Sequence, residues 1–211
     1  MNNLEFEAME DYFINEREPD MVGHRILEGI NTIILTAPHS VSQLREGKIK
    51  AGEFRTGPIV KILGQMSQCH IAFKTKNLGD DANYNPKCNF KDDLINYVKD
   101  KGIKLVLDFH ISRPEREFSI DIGTGRGANI DNREDILHCI KEHLETKYEN
   151  IKTDEVFSAK YPHTVSATVS RETGIPAFQI EINWNLIDDY NKTDEFIKTM
   201  LEIINKLEEI I

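Results

Sequence analysis

The stretch "IKLVLDFHIS", Ile103 to Ser112, decides how the rest of the chain is read. Its apolar run, Leu105 to Phe109, suits a strand covered on both faces. Asp108 interrupts that run and His110 follows it directly. Residues two apart share one side of a strand, so the carboxylate and the imidazole face the same way. A second run of the same character, "TIILTA" (32–37), ends in Pro38-His39-Ser40. A third, "AFQIEINW" (177–184), carries Glu181 and Asn183 near its end.

Outward from these strands the pattern alternates. "HRIL" (24–27) and "HIAFKT" (70–75) read as strands, and "HRIL" is expected to form a hairpin or strand pair with "TIILTA" across "EGIN". "IVKILGQMSQ" (59–68) has helical spacing, with Ile59, Leu63 and Met66 on one face. "KDDLINYVKDKG" (91–102) reads as a helix stopped by Gly102. "NREDILHCIKEHLETKY" (132–148) is an amphipathic helix with Asp131 or Asn132 as its cap, and residues 193–210 form a closing helix with Thr193 as cap. "REGKIKAGEFRTGP" (45–58) and "NLGDDANYNP" (77–86) read as loops, and residues 163–176 are ambiguous. Strand alternating with helix points to an α/β fold, a mixed central sheet flanked by helices.

The chain of 211 residues is expected to hold an N-terminal acidic segment, 1–22, and a single domain, 23–211. Phe6, Met9, Tyr12 and Phe13 recur in the first segment at near-helical spacing. The formal net charge of -10 argues against nonspecific nucleic-acid binding, because phosphates are repelled. No run is apolar enough for a membrane span, no secretory leader is visible, and three cysteines without close spacing imply neither a disulfide framework nor a thiolate metal site. The expected location is cytoplasmic.

Open α/β sheets place their sites at the carboxyl ends of strands. His39, His110 and Glu181 all sit there. Two imidazoles and a carboxylate form a donor set for hydrolytic zinc with an open position for water. The competing reading is that each histidine is an ordinary hydrogen-bonded group and no metal binds. If His110 binds metal, Asp108 is either a second ligand or an orienting partner for another group; otherwise it ends the strand by accepting backbone hydrogen bonds. His24 and His70 begin strands, His138 and His143 are five apart on a helix, and His163 sits in the ambiguous segment; none is selected by the strand-end argument.

"TAPHS", "LDFHIS" and "GIPAFQIEINW", in that order, resemble the N-formylglutamate amidohydrolase family, within the wider zinc carboxypeptidase-like group of metallohydrolases. The resemblance covers roughly residues 30 to 205. It implies a three-layer, zinc carboxypeptidase-like (phosphorylase/hydrolase-like) fold and a Zn2+ cofactor. It implies that His39 and His110 are zinc ligands and that Glu181 is the general base and acid. The third ligand should be a carboxylate after the first histidine. Position 42 is serine, which departs from the His-x-x-Glu pattern of the carboxypeptidases, so Glu53 is the nearest candidate. Arg55, Arg126 and Arg171 are candidates for holding a substrate carboxylate, because an arginine fork binds one through two hydrogen bonds. The implied activity is hydrolysis of the amide bond of an N-acyl amino acid such as N-formylglutamate, with no nucleic-acid or membrane partner. The alternatives are a peptidase or other deacylase on the same scaffold, and a metal-binding module without turnover.

Overall fold

A computed structural model describes residues 3–19 and 21–211. Residues 1, 2 and 20, which fall in the expected N-terminal segment, lie outside the described residues. The elements are α1 (Asn3–Ile14), β1 (His24–Leu27), β2 (Ile33–Ala37), β3 (Gln43–Arg45), β4 (Lys48–Lys50), α2 (Thr56–Ser67), β5 (His70–Lys74), α3 (Asn89–Lys101), β6 (Leu105–Ser112), β7 (Ile120–Gly123), α4 (Glu134–Glu145), β8 (Ile151–Thr153), α5 (Val165–Thr173), β9 (Ala177–Asn183) and α6 (Tyr190–Ile210), with a short 3-10 turn at Trp184–Leu186 before α6.

Seven strands form one mixed sheet in the order β1-β5-β2-β6-β9-β7-β8. β5, β2, β6 and β9 run parallel, whereas β1 and β7 run antiparallel to their neighbours β5 and β9. β2, β6 and β9 are covered on both faces, which is why their sequences are nearly continuous apolar runs rather than alternating ones. Alternate residues serve opposite layers. Leu105, Leu107 and Phe109 pack with α2, α4 and α6, while Val106 packs with α3 and α5. The result is a three-layer α/β sandwich. Helix α1 joins the larger layer by burying Phe6 and Phe13 in that same core.

Several local expectations are corrected. β1 and β2 do not pair; β5 lies between them and pairs with both. β2 pairs along its two edges with β5 and β6, so β1, although nearer in the chain, pairs with the outer edge of β5. The 45–58 segment is not a plain loop: β3 and β4 form a hairpin whose turn, Glu46-Gly47, has both residues at positive φ (52° and 74°). That geometry matches the strand twist of a two-residue hairpin turn. In α2, Ile59 and Leu63 are buried, but Met66 is exposed because the last turn passes the edge of the core. Helix α4 begins at Glu134, after Asp131 and Asn132 adopt left-handed backbone, so neither caps it. Helix α6 is capped by Asp189, whose side chain accepts from Lys192 N; Thr193 lies one turn inside. Gly102 does end α3, at φ 63°. The ambiguous segment becomes α5, capped by the Thr164 hydroxyl accepting from Ala167 N. The short strand β8 has no periodic signature in the sequence.

Candidate metal centre

The parallel strands converge their carboxyl ends on one edge of the sheet. β2 delivers His39 immediately after Pro38, whose ring fixes φ and stiffens the strand exit. β6 delivers Asp108 and His110 on one side, and β9 places Glu181 directly opposite His110 in register. The rings of His39 and His110 lie 4.8 Å apart, centroid to centroid, at 81°. Glu53 sits between them. Its Oε1 is 2.9 Å from His39 Nδ1 and its Oε2 is 3.1 Å from His110 Nδ1.

Glu53 arrives there although it is distant in sequence from His39. The β3–β4 hairpin carries the intervening residues outward and returns the chain, and Glu53 N then donates to His39 O at 2.7 Å. Its Oε2 also accepts from Ile111 N at 2.9 Å, which ties the carboxylate to β6.

Both imidazoles turn Nδ1 inward and anchor Nε2 on a buried carboxylate. His39 Nε2 is 2.9 Å from Asp81 Oδ1, and His110 Nε2 is 3.2 Å from Asp108 Oδ2. Carboxylates in this position fix the tautomer and ring orientation of a metal-binding histidine. Asp81 is held by Arg45, at 2.7 Å, and Asp108 accepts from the Ser166 hydroxyl at 3.1 Å. Asn83 Nδ2 lies 2.9 Å from His110 Nε2, while Asn83 Oδ1 accepts from Val165 N.

The charges explain the titration. Burial opposes protonation of His39, but the Glu53 charge and the Asp81 hydrogen bond outweigh it and raise its pKa to about 9. His110 is likewise raised well above the usual imidazole range, against burial, by Asp108 and Glu53. The two imidazoles hold the Glu53 carboxyl below the ordinary range despite its burial. Glu181 goes the other way: burial, reinforced by the Glu53 charge, pushes it up to about 8 against the pull of His110. Its Oε1 accepts from Gln179 Nε2 at 2.8 Å. Gln179 Oε1 is buried without a hydrogen-bond partner among the described residues.

His39, Glu53 and His110 each offer one ligand atom, all within 4.8 Å of one another. Two imidazole nitrogens and one carboxylate oxygen, with tautomers fixed from behind, match the donor set of a hydrolytic zinc ion that keeps a position for water. The residues present therefore fit such an ion. They line a cavity of about 1380 Å³ together with Glu181 and Gln179.

The arginines are distributed differently. Arg55 lines the cavity, but its Nε and Nη2 are bound by Glu10 of α1 at 2.7 and 3.0 Å, its Nη1 donates to Ile187 O, and its guanidinium lies 4.8 Å from the Trp184 ring centroid. Arg126 is exposed at a positive φ of 57° in the turn after β7 and does not line the cavity. Arg171, on α5, bonds Glu172 and Pro162 O outside it. Sequence reasoning passed over Asp81, which lies in a segment read only as turns; the Asp-Asp pair at 80–81 beside an expected strand end was the available signal.

The sequence matches no protein-family model and no curated protein. Its fold is found in solved structures. N-formylglutamate amidohydrolase from Ralstonia eutropha is 10% identical and superposes with a TM-score of 0.62 over 90% of this chain and 99% of that one. A bacteriophage poly-γ-glutamate hydrolase is 11% identical, with a TM-score of 0.58 over 93% and 95% of the two chains. A metallo-carboxypeptidase from Pseudomonas aeruginosa, in complex with (2-guanidinoethylmercapto)succinic acid, is 14% identical, with a TM-score of 0.56 over 92% of this chain and 59% of that one. The fold is thus the one shared by zinc carboxypeptidase-like proteins.

Proposed function

We propose that this chain is a zinc-dependent amidohydrolase that cleaves the amide bond of an N-acyl amino acid bearing a carboxylate, N-formylglutamate being a simple example. The observation that carries this reading is the convergence of His39, Glu53 and His110 within 4.8 Å, beside a buried Glu181, at the floor of one cavity. Similarity of fold to an amidohydrolase, a poly-γ-glutamate hydrolase and a carboxypeptidase supports it.

His39, His110 and Glu53 would hold the ion. Zinc bound there would supply an acidified water and a Lewis acid for the developing oxyanion. Glu181 accepts the proton of the attacking water. Its elevated pKa makes it a competent proton carrier near neutrality, and it returns that proton to the departing amine as the C–N bond breaks. Water adds to the carbonyl carbon, so the products are a carboxylic acid and a free amine. Gln179 aims the Glu181 carboxyl, while Asp81 and Asp108 keep the imidazoles oriented. Among the three sequence candidates for holding a substrate carboxylate, Arg55 has the strongest support, since it lines the cavity, although Glu10 shares its guanidinium.

A peptidase or a different deacylase is the second reading, favoured by a cavity larger than a single N-acyl amino acid needs. A metal-binding module without turnover is opposed by Glu181, a buried carboxyl that lines the same cavity as His39, Glu53 and His110 without belonging to that cluster. No described helix is long and apolar enough to cross a membrane, and the three cysteines are free thiols, which fits the proposed cytoplasmic location.

The test is elemental analysis of the purified chain followed by an N-acyl amino acid panel. Glu181→Gln should keep its zinc and lose turnover by roughly 10²–10⁴-fold. Full activity in that variant would remove Glu181 from the chemistry.

A further inference from the structure

Gln179 is committed at one end only. Its Nε2 donates to Glu181 Oε1 at 2.8 Å, while its own Oε1 is buried without a hydrogen-bond partner among the described residues. The residue is 4% exposed and lines the cavity beside Glu181. A carboxamide offers two donor hydrogens and one acceptor oxygen, so the bond to Glu181 fixes which end is spent. A buried acceptor left unpaired costs the free protein stability. The cations of the cavity wall do not relieve it. Lys50, Arg113, Arg116 and Lys160 are solvent-exposed and form the rim, and none bonds Gln179 Oε1.

The side chain has little freedom to turn away. Gln179 pairs with Asp108 of β6 on one side and with Gly123 of β7 on the other. A Cβ at Gly123 would stand 3.1 Å from Gln179 Cβ and 2.5 Å from Phe157 O, so the missing side chain lets the loop after β8 close against the flank of Gln179. Asp121 pins that loop by accepting the backbone N–H groups of Glu155, Val156 and Phe157. Gln179 and Glu181 lie two apart on β9 and share one side of the strand. Together they present a fixed pair to the cavity, one acceptor oxygen and one carboxyl.

We propose that Gln179 Oε1 accepts the N–H of the scissile amide, which makes Gln179 the residue that selects substrates carrying a hydrogen on the nitrogen to be released. This rests on the hydrolase reading above. Glu181 returns its proton to that nitrogen, which requires an approach of about 3 Å between them. Gln179 is bonded to the same carboxyl, so its free oxygen can reach the departing nitrogen. With the N–H directed at Gln179, the electron pair that localises on nitrogen as water adds turns toward Glu181. That pair takes the proton Glu181 removed from water, and the C–N bonding electrons leave with the nitrogen. Gln179 gains and loses no proton. A methyl group or ring carbon in place of the hydrogen leaves the buried oxygen unpaired against an apolar group.

The experiment takes the N-acyl amino acid of highest kcat/KM in the panel and its counterpart methylated on the scissile nitrogen, on the zinc-loaded full chain. The wild type should prefer the N–H member by roughly 10²-fold in kcat/KM. Gln179→Leu removes both ends of the carboxamide and should shrink that preference by about 10-fold or more. Gln179→Glu keeps an acceptor oxygen and should keep most of the preference. Lost support for Glu181 alone would slow both substrates by one factor and leave their ratio alone. An unchanged ratio in Gln179→Leu therefore overturns the proposal, as does a wild type that cleaves both members equally. Should the leucine variant fail to fold, Gln179→Met makes the same comparison. Hydrolysis of no panel member sinks the hydrolase reading instead. N-formylglutamate and N-formyl-N-methylglutamate are then titrated against the zinc-loaded wild type; tighter binding of the N–H member upholds the acceptor, and equal or absent binding removes it.

Discussion

His39 and His70 are both more than nine-tenths buried, at opposite ends of neighbouring parallel strands, and they have opposite chemistry. His70 opens β5. Its Nδ1 accepts from Tyr97 Oη at 2.7 Å and from Gly29 N at 3.1 Å, and its Nε2 donates to Asn31 O at 2.9 Å. Every partner is neutral, so burial lowers its pKa and the ring stays uncharged. His39 follows β2 among Glu53, Asp81 and His110, and carboxylates reverse the effect of burial. Burial alone does not make a histidine functional. What separates the two ends of the sheet is the presence of carboxylates that demand a positive charge, which protons or a metal ion can supply.

The sharpest way to break this contrast is to remove an imidazole at each end. His110→Ala should leave no metal detectable by elemental analysis and no hydrolysis above background, because two ligands do not hold a zinc ion in a site built for three. Retained stoichiometric zinc in that variant would end the metal-centre reading.

A titration sharpens the same contrast. The folded pKa of His39, about 9, lies above the ordinary imidazole value of roughly 6.5. In the metal-free chain the stabilisation from its protonation is therefore complete below about pH 6.5 and is lost as pH rises through about 9. Metal must displace those protons, so zinc affinity should climb by about 10-fold per pH unit for each proton displaced, the His39 contribution levelling near pH 9. Competition against a chelator across pH measures this; a flat profile would contradict the charge balance. His70 has the opposite sign, since its depressed pKa makes the fold less stable as pH falls below the ordinary imidazole value.

Two smaller effects follow. Asp108→Asn removes the negative charge behind His110 and should weaken zinc binding by roughly 10–100-fold while the fold persists. Isothermal titration with the chelated metal reads that loss. At the other end, His70→Gln should leave zinc content intact and cost only about 1–3 kcal/mol of stability, through the unsatisfied partners Asn31 O and Gly29 N. Thermal unfolding would show this as a lowered Tm, by about 2–4 °C for each kcal/mol in a chain of this size.

Local chemistry made part of this structure readable from sequence. The apolar runs at 32–37 and 103–109 name the central strands, because residues buried on both faces must be apolar whatever their neighbours are. Gly102 marks the end of α3 through its positive φ. Pro38-His39 and Asp108-x-His110 stand out because polar groups interrupt such runs only when something binds them. Three-dimensional contacts decided the remainder. Glu53 is legible only as a nearby carboxylate until the Glu46-Gly47 hairpin turn returns it to His39. Asp81 looks like any turn residue until Arg45 and His39 close on it. Arg55 reads as a free anchor until Glu10, on a helix that buries Phe6 and Phe13, grips it.

The amino-acid order alone determined the central strands β2, β6 and β9, the helices α2, α3, α4 and α6, and which imidazoles stand at strand tips, because those properties depend on a residue and its near neighbours. Strand order, the insertion of β5 between β1 and β2, the carboxylates that charge the two histidines, and the cationic rim of the cleft were decided by tertiary packing. Each arises from groups far apart in the chain, whose meeting depends on how the layers cover one another's apolar faces.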